Sequence, residues 1–584
     1  MLEALFSQGR FAAAIDHGAD FLARNPSSFA AHNIVGKANA MLGRTAQAAD
    51  SFRAALAINP DFAIGHNNLA NILKQLGRTD EAIASYRRAL AISPDDFLAN
   101  KNLAILLHEL GRVPEAVAAW RETLRVRPEF SLARAHMIHQ LAHMCDWEAL
   151  AAEEDAIPAL GVTGEFVPPF TMLSRDDDPA RHLRRAEKCA ASQFSAIMAN
   201  AFPEVPRPRA PADRICIGYF GADFHDHATM SLMVPLLEAY DRSRFAIHVY
   251  SYGPATDDGM QRRAKAAVDK FHDVRMMNDR DVATLARNEG VDIAVDLKGY
   301  TTDARLGILA WRPAPIQMSY LGYPGTLGAP FIDYIVADRV VIPDEQRRHY
   351  SESVIYLPDS YQPNDDARVI ADRGPTRAEA GLPDEGVVFC CFNNNFKVTP
   401  DEFDIWMRLL RKVDGSVLWL LKVNPWALAN LRKEAERRGV DPDRLIFAER
   451  VPWPEHLARQ RLADMFLDTF RYNAHTTASD ALWAGVPVVT LAGRYFFARV
   501  AASVLTAVGM PELITTSPQD YEALALALAT DRDRLEKVRA KLWENRLTTP
   551  LFDSARFVRN LEKAYEQAYR NWFEGGEPRD IAVQ

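Results

Sequence analysis

Cysteine is scarce: Cys145, Cys189, Cys216, Cys390 and Cys391 are the only five in 584 residues, and none forms a Cys-x-x-Cys pair. That excludes a disulfide framework and fits a reducing, cytoplasmic setting. The N-terminus, MLEALFSQGRFAAAI, lacks a basic segment followed by an apolar core, and no apolar run reaches the 18 or so residues of a membrane span. Neither a secretory leader nor a membrane partner is expected. Positive charge is not in excess either: 68 Lys and Arg against 77 Asp and Glu leave a formal charge of -9. Bulk nucleic-acid binding is therefore not expected, although a local basic pocket could still hold one nucleotide. Glycine (29) and proline (34) are too few for a collagen-like chain, and 48% hydrophobic residues are too many for a mainly disordered one. At roughly 150 residues per folding unit, the length predicts about four blocks.

The first 130 residues repeat with a period of 34. Gly-Arg recurs at 9, 43, 77 and 111, proline at 26, 60, 94 and 128, and alanine at 14, 48, 82 and 116. Glycine ends one helix in a left-handed cap, alanine lets two helices approach closely, and proline separates successive repeats. The pattern is similar to tetratricopeptide repeats, whose stacked helix pairs form a solenoid with a groove for extended peptide. Met1 falls inside the first helix, so the first repeat reads as incomplete. Asn68 and Asn102 occupy equivalent repeat positions. Their amides could pair with the backbone of a bound peptide, or they could bond between repeats.

From 131 to 212 a helical stretch gives way to a proline-rich connector. Asp176, Asp177 and Asp178 could be weighed as metal ligands, but they precede Pro179 and a basic helix, so a charged helix start is the better reading and no metal is predicted. Beyond 213, short apolar runs alternate with helical segments in two blocks, 213–370 and 371–574, the pattern of parallel sheets. Strands are expected at 215–220, 246–252, 291–297, 316–320 and 334–337, then at 387–392, 417–421, 445–448, 465–467 and 486–491. Two Rossmann-like sheets in tandem leave a cleft between their carboxyl ends. A closing helical region, about 519–574, is long enough to finish the second lobe and cross back to the first.

The segment DTFRYNAHTTASDALWAGVPVV, 468–489, leads from a strand through a polar loop and His475 into a helix starting at Thr476 or Thr477. Thr477 and Asp480 have capping-box spacing. Such a helix start offers free amides to a diphosphate, or is an ordinary capped helix. Upstream, CFNNNFK, 391–397, ends a strand in three asparagines and Lys397, whose ammonium could meet a leaving phosphate. The segment 451–469 adds Trp453 and His456, with flat faces for a base, and Arg459 as a donor.

With these residues the chain resembles the O-linked N-acetylglucosaminyltransferase family, in the motifs ADFHDHAT (222–229), RPAPIQMSYLGYPGTLG (312–328), CFNNNFK (391–397), RLADMFLDT (461–469) and HTTASDALWAG (475–485). The resemblance implies an α-helical tetratricopeptide solenoid followed by an α/β glycosyltransferase B fold of two Rossmann-like lobes. It implies metal-independent, inverting transfer from UDP-GlcNAc to Ser or Thr of protein, the UDP-sugar being a substrate and no cofactor being needed. By the same comparison Lys397 contacts the diphosphate, Asn394 stands where a glutamine is common, and His475, Thr476 and Thr477 form the phosphate-binding helix start. Asp480 is a ribose-side acid, His456 and Arg459 belong to the base-proximal loop, and Val451 offers backbone contacts to uracil. Asp223 and His227 face sugar and acceptor, with Arg305, Leu321 and Gly322 on the opposite wall; from the residues alone, a structural histidine is the better reading of His227.

The chain also departs from the family. Animal members carry a linker histidine proposed as general base, whereas Pro168–Leu173 here contains none. Trp453 replaces a lysine common beside the nucleotide, and the long insertion between lobes of animal enzymes is absent. A GDP-fucose or UDP-glucose dependent protein glycosyltransferase, or a non-catalytic repeat scaffold, are the alternative readings. The acceptor is expected along the repeat groove, and a homodimer is left open.

Overall fold

Every 34 residues a glycine adopts a backbone conformation closed to most side chains: Gly9, Gly43, Gly77 and Gly111 have φ of +73°, +72°, +73° and +67°. Each ends the first helix of a hairpin, and the following arginine amide reaches back five residues, as Arg44 does to the Asn39 carbonyl. This computed structural model describes all 584 residues. Its first compact unit, Met1–Leu141, is a run of antiparallel helices: Leu2–Ser7, Phe11–Arg24, Phe29–Met41, Thr45–Ile58, Ala63–Gln75, Thr79–Ile92, Phe97–Glu109, Val113–Val126, and most of Ser131–His143. Ala14, Ala48, Ala82 and Ala116 are fully buried where the paired helices meet. The asparagines bond between repeats: Asn68 Nδ2 donates to Asn33 at 2.9 Å, and Asn102 Nδ2 to Asn67 and Asn71 at 3.2 and 3.3 Å.

The second unit, Ala142–Gln584, holds two sheets. The first lobe contains β1 (Ile215–Gly221), β2 (Phe245–Ser251), β3 (Lys270–Asp273), β4 (Ile293–Asp296), β5 (Ile316–Ser319), β6 (Tyr334–Asp338) and β7 (Ser353–Leu357). The second contains β8 (Val388–Cys391), β9 (Val417–Leu421), β10 (Leu445–Ala448), β11 (Met465–Leu467), β12 (Val488–Leu491) and β13 (Ile514–Thr515), and the tail returns β14 (Ile581–Ala582) to the first. The orders are β14-β7-β6-β5-β4-β1-β2-β3 and β10-β9-β8-β11-β12-β13. Pairing is parallel in both sheets, as in β1 with β4 and β8 with β11. The central strands are buried on both faces, which is why they read as unbroken apolar runs.

The closing helix, Ser554–Phe573, does cross to the first lobe. Tyr565 meets the Tyr219 hydroxyl of β1 at 2.8 Å, and Glu562 accepts from the Asp241 amide at 2.7 Å. The aspartates before Pro179 are a helix start, as expected: Asp178 caps the helix Pro179–Met198 through the Arg181 amide, Asp176 pairs with Arg181 and Arg185, and Asp177 accepts from the Arg494 amide.

On that helix His182 is 2% exposed, stacked on Tyr495 at 5.0 Å and edge-on to Phe497. Burial and the neighbouring Arg185 push its pKa down to about 4. The unfolded chain, titrating near 6.5, binds this proton first, so stability is lost as pH falls from about 6.5 towards 4, by at most about 3 kcal/mol. Urea midpoints should therefore fall more steeply over that range for the parent than for His182→Phe. Equal slopes would refute the assignment.

Candidate active site

In the second lobe two adjacent strands end together. β8 runs into Asn393, Asn394, Asn395 and Lys397, β11 runs into Asp468 and Thr469, and the loop after β11 leads to the helix Thr476–Ala484. Asp468 is fully buried and organises them. Its Oδ1 accepts from the amides of Thr469 (2.8 Å) and Ala474 (2.6 Å) and from Asn393 Nδ2 (3.2 Å), and its Oδ2 from the Thr490 hydroxyl (2.7 Å). Asn393 also accepts from Thr477 Oγ1 at 2.6 Å. The Lys397 ammonium donates to the Asn473 carbonyl at 2.9 Å and lies 3.9 Å from the centre of the Tyr472 ring. Burial pushes its pKa below the usual lysine range, against the pull of the Asp468 carboxylate.

His475 is the N-cap of the helix, and its side chain caps nothing: Nε2 meets the Phe497 carbonyl at 3.1 Å. Burial, with Lys397 nearby, holds its imidazole neutral. The amides of Thr476 and Thr477 have no backbone partner, while those of Ala478 and Ser479 turn back to the His475 carbonyl. One ammonium and two free amides at a helix start thus converge at the carboxyl edge of the sheet, an arrangement that receives an anion. Asn394 adds a buried side-chain oxygen without a partner.

One expectation here is corrected. Thr477 and Asp480 do not form a capping box, because Thr477 bonds to Asn393 and Asp480 is claimed by Arg368. Asp480, expected on the ribose side, is 1% exposed and 2.6 Å from the Arg368 guanidinium, itself buried. Arg459, expected as a donor to a base, is 6% exposed and already donates to His456 Nδ1 and the Glu449 carbonyl. His456 is held between Phe392 and Trp453, at 5.2 and 6.3 Å, and burial with Arg459 beside it pushes its pKa down to about 3. Trp453 keeps a buried, unpartnered Nε1, and Val451 is 37% exposed.

In the first lobe, β1, β4 and β5 also end side by side. Asp223, following β1, accepts from Lys298, following β4, at 2.9 and 3.0 Å, and from the Thr229 hydroxyl at 3.2 Å. Asp223 and Lys298 are 8% and 6% exposed. His227 Nδ1 is 3.5 Å from Asp223 and accepts from the Thr229 amide as a helix cap. Surrounding protein pushes its pKa down, Asp223 resisting. Following β5, Leu321 has φ of +71°, a strained position for a side chain, and leads into Gly322. A Cβ on Gly322 would lie 1.9 Å from the Leu297 carbonyl oxygen, so only glycine lets this loop rest on the β4 end. Arg305 is anchored by Asp279 and the carbonyls of Val274 and Met277. Asp468, Phe392, Lys298 and Arg368 were not expected at the site. The first two carried a signal, lying inside RLADMFLDT and next to the asparagines of CFNNNFK; the other two carried none.

The profile of glycosyl transferase family 41 matches residues 168–374 and 373–561, and tetratricopeptide repeat profiles match 2–63, 51–84 and 70–111. The chain is 34% identical over 468 residues to "Probable UDP-N-acetylglucosamine--peptide N-acetylglucosaminyltransferase SEC" of Arabidopsis thaliana, which covers 76% of this chain and 48% of that protein. It is 30% identical over 482 residues to the UDP-N-acetylglucosamine--peptide N-acetylglucosaminyltransferase of Caenorhabditis elegans, covering 63% and 42%. The chain thus spans less than half the length of these relatives. Among solved structures, a Lys-to-Met mutant of the Thermobaculum terrenum O-GlcNAc transferase superposes with a TM-score of 0.66 at 26% identity, over 94% of this chain and 99% of that one.

Proposed function

The chain belongs to glycosyl transferase family 41, and we propose that it moves N-acetylglucosamine from UDP-GlcNAc to serine or threonine hydroxyls of protein acceptors, inverting the anomeric carbon without a metal ion. The observation that carries this reading is the placing of the Lys397 ammonium and the free amides of Thr476 and Thr477 at the same carboxyl edge of the second sheet. As the bond from the anomeric carbon to the diphosphate breaks, charge grows on the β-phosphate. Fixed donors in a buried site stabilise that charge without reorganising. The relatives' names supply the donor and acceptor class; the site supplies the chemistry.

In this proposal Val451, Trp453, His456 and Phe392 make the wall beside the base. Asn394 offers its free oxygen to the nucleotide sugar. Asp223, held by Lys298 and Thr229, faces the sugar with His227, while Leu321 and Gly322 shape the acceptor side and Arg305 supports that wall from behind. Asn68 and Asn102 keep side-chain oxygens available to an acceptor backbone along the repeats.

The test is donor hydrolysis by the untagged chain at 25 °C with UDP-GlcNAc, UDP-glucose and GDP-fucose, each with and without EDTA. UDP release should be fastest from UDP-GlcNAc and unchanged by the chelator. Faster release from either other donor would overturn the sugar assignment, loss in EDTA would overturn metal-free chemistry, and silence with all three would leave a scaffold.

A further inference from the structure

The outer edge of the first sheet carries a second cluster. Strands alternate their side chains, and the register His248 to Lys270 and Tyr250 to His272 sets all four on one face. Cys216, two residues before the partner of His248 on β1, shares that face. Glu289 reaches over it from the C-terminal cap of the helix Asp279–Asn288. One nitrogen from each imidazole and a Glu289 carboxylate oxygen all lie within 4.8 Å of one another. His248 Nδ1 is 3.8 Å from Glu289 and 3.5 Å from Cys216 Sγ. His248 is 5% exposed, and His272, stacked on Tyr250 at 5.0 Å, has a buried Nε2 with no partner.

We propose that His248, His272 and Glu289 bind a divalent transition metal of the zinc class at the β2–β3 edge of the first sheet, on residues apart from the reaction site, with Lys270 as its competitor. Two imidazoles and a carboxylate with a fourth position open are a zinc-type donor set, whereas magnesium and calcium prefer oxygen alone. The Lys270 ammonium pairs with Glu289 where the cation would sit, and its side chain, 48% exposed, can leave into solvent. A bound metal would tie β3, a four-residue edge strand, to β2 and to the helix end.

The experiment titrates Zn²⁺ and Co²⁺ into the chelator-stripped, untagged chain by calorimetry and visible absorption. One tight site per chain is expected, with a tetrahedral Co²⁺ spectrum and a melting temperature raised by Zn²⁺. His272→Gln should weaken binding about tenfold or more, since losing even a group that only supports a ligand costs about that much. Lys270→Met should tighten it, an outcome that a folding defect cannot produce. Turnover at 25 °C should not change with Zn²⁺ removal, so failure here is separable from failure of the proposed transferase. Equal zinc affinity in the parent and His272→Gln, or weaker binding in Lys270→Met, would overturn the site.

Discussion

Lys397→Met should nearly abolish UDP release and sugar transfer while leaving the chain folded. Removing one preorganised donor to a developing anion typically costs about 3 to 4 kcal/mol, a fall of roughly 10² to 10³ in turnover. The fold is spared because the ammonium is a desolvated charge whose one oxygen partner, the Asn473 carbonyl, belongs to a loop held independently by Asp468. A pH profile adds a second signature. The protonated form is the useful one, and burial holds the Lys397 pKa below the usual lysine range. kcat/KM, which reports the free enzyme, should therefore fall as pH rises through a value well under 10. Parental turnover by Lys397→Met would remove the charge-neutralising role.

The parts of this molecule written in local pattern are legible in the amino-acid sequence itself. Gly43, Ala48 and Pro60 mark a repeat because each meets a steric demand within a few residues of itself. The strands Val417–Leu421 and Leu445–Ala448 coincide with their apolar runs. What escapes is decided by distant partners. β3 reads Lys-Phe-His-Asp and is a strand only because β2 lies beside it; β14 is two residues paired with β7 across 226 positions of sequence. The apolar run at β7, Ser353–Leu357, also carries a local signal, yet it is not among the expected strands. At the site the same division holds. His475 and Lys397 stand out as motif residues, but the Thr477 to Asp480 spacing suggests a cap, and only the fold brings Arg368 to Asp480 and Asn393 to Thr477. Asp223 is visible and Lys298, which holds it from 75 residues away, is not.

Asp468 offers the sharper test of how the anion site is kept in shape. Asp468→Ala strips the acceptor from two backbone amides, the Asn393 amide and the Thr490 hydroxyl, all buried together. Leaving such donors unpaired should destabilise the chain by about 3 kcal/mol or more and release the loop that carries Asn473 and His475, so turnover should vanish with it. Asp468→Asn should behave differently. Its oxygen can take the Oδ1 position and serve three donors, while its NH₂ meets the Thr490 hydroxyl, which can rotate to accept. The expected loss is about 1 kcal/mol, with the loop retained. The charge is still gone, and Lys397 no longer feels the carboxylate that raises its pKa. The alkaline fall in kcat/KM should then move to lower pH in Asp468→Asn, at nearly native stability. If the two variants lose stability equally, or if Asp468→Asn leaves the pH profile in place, Asp468 is a packing residue and its charge does not act on Lys397.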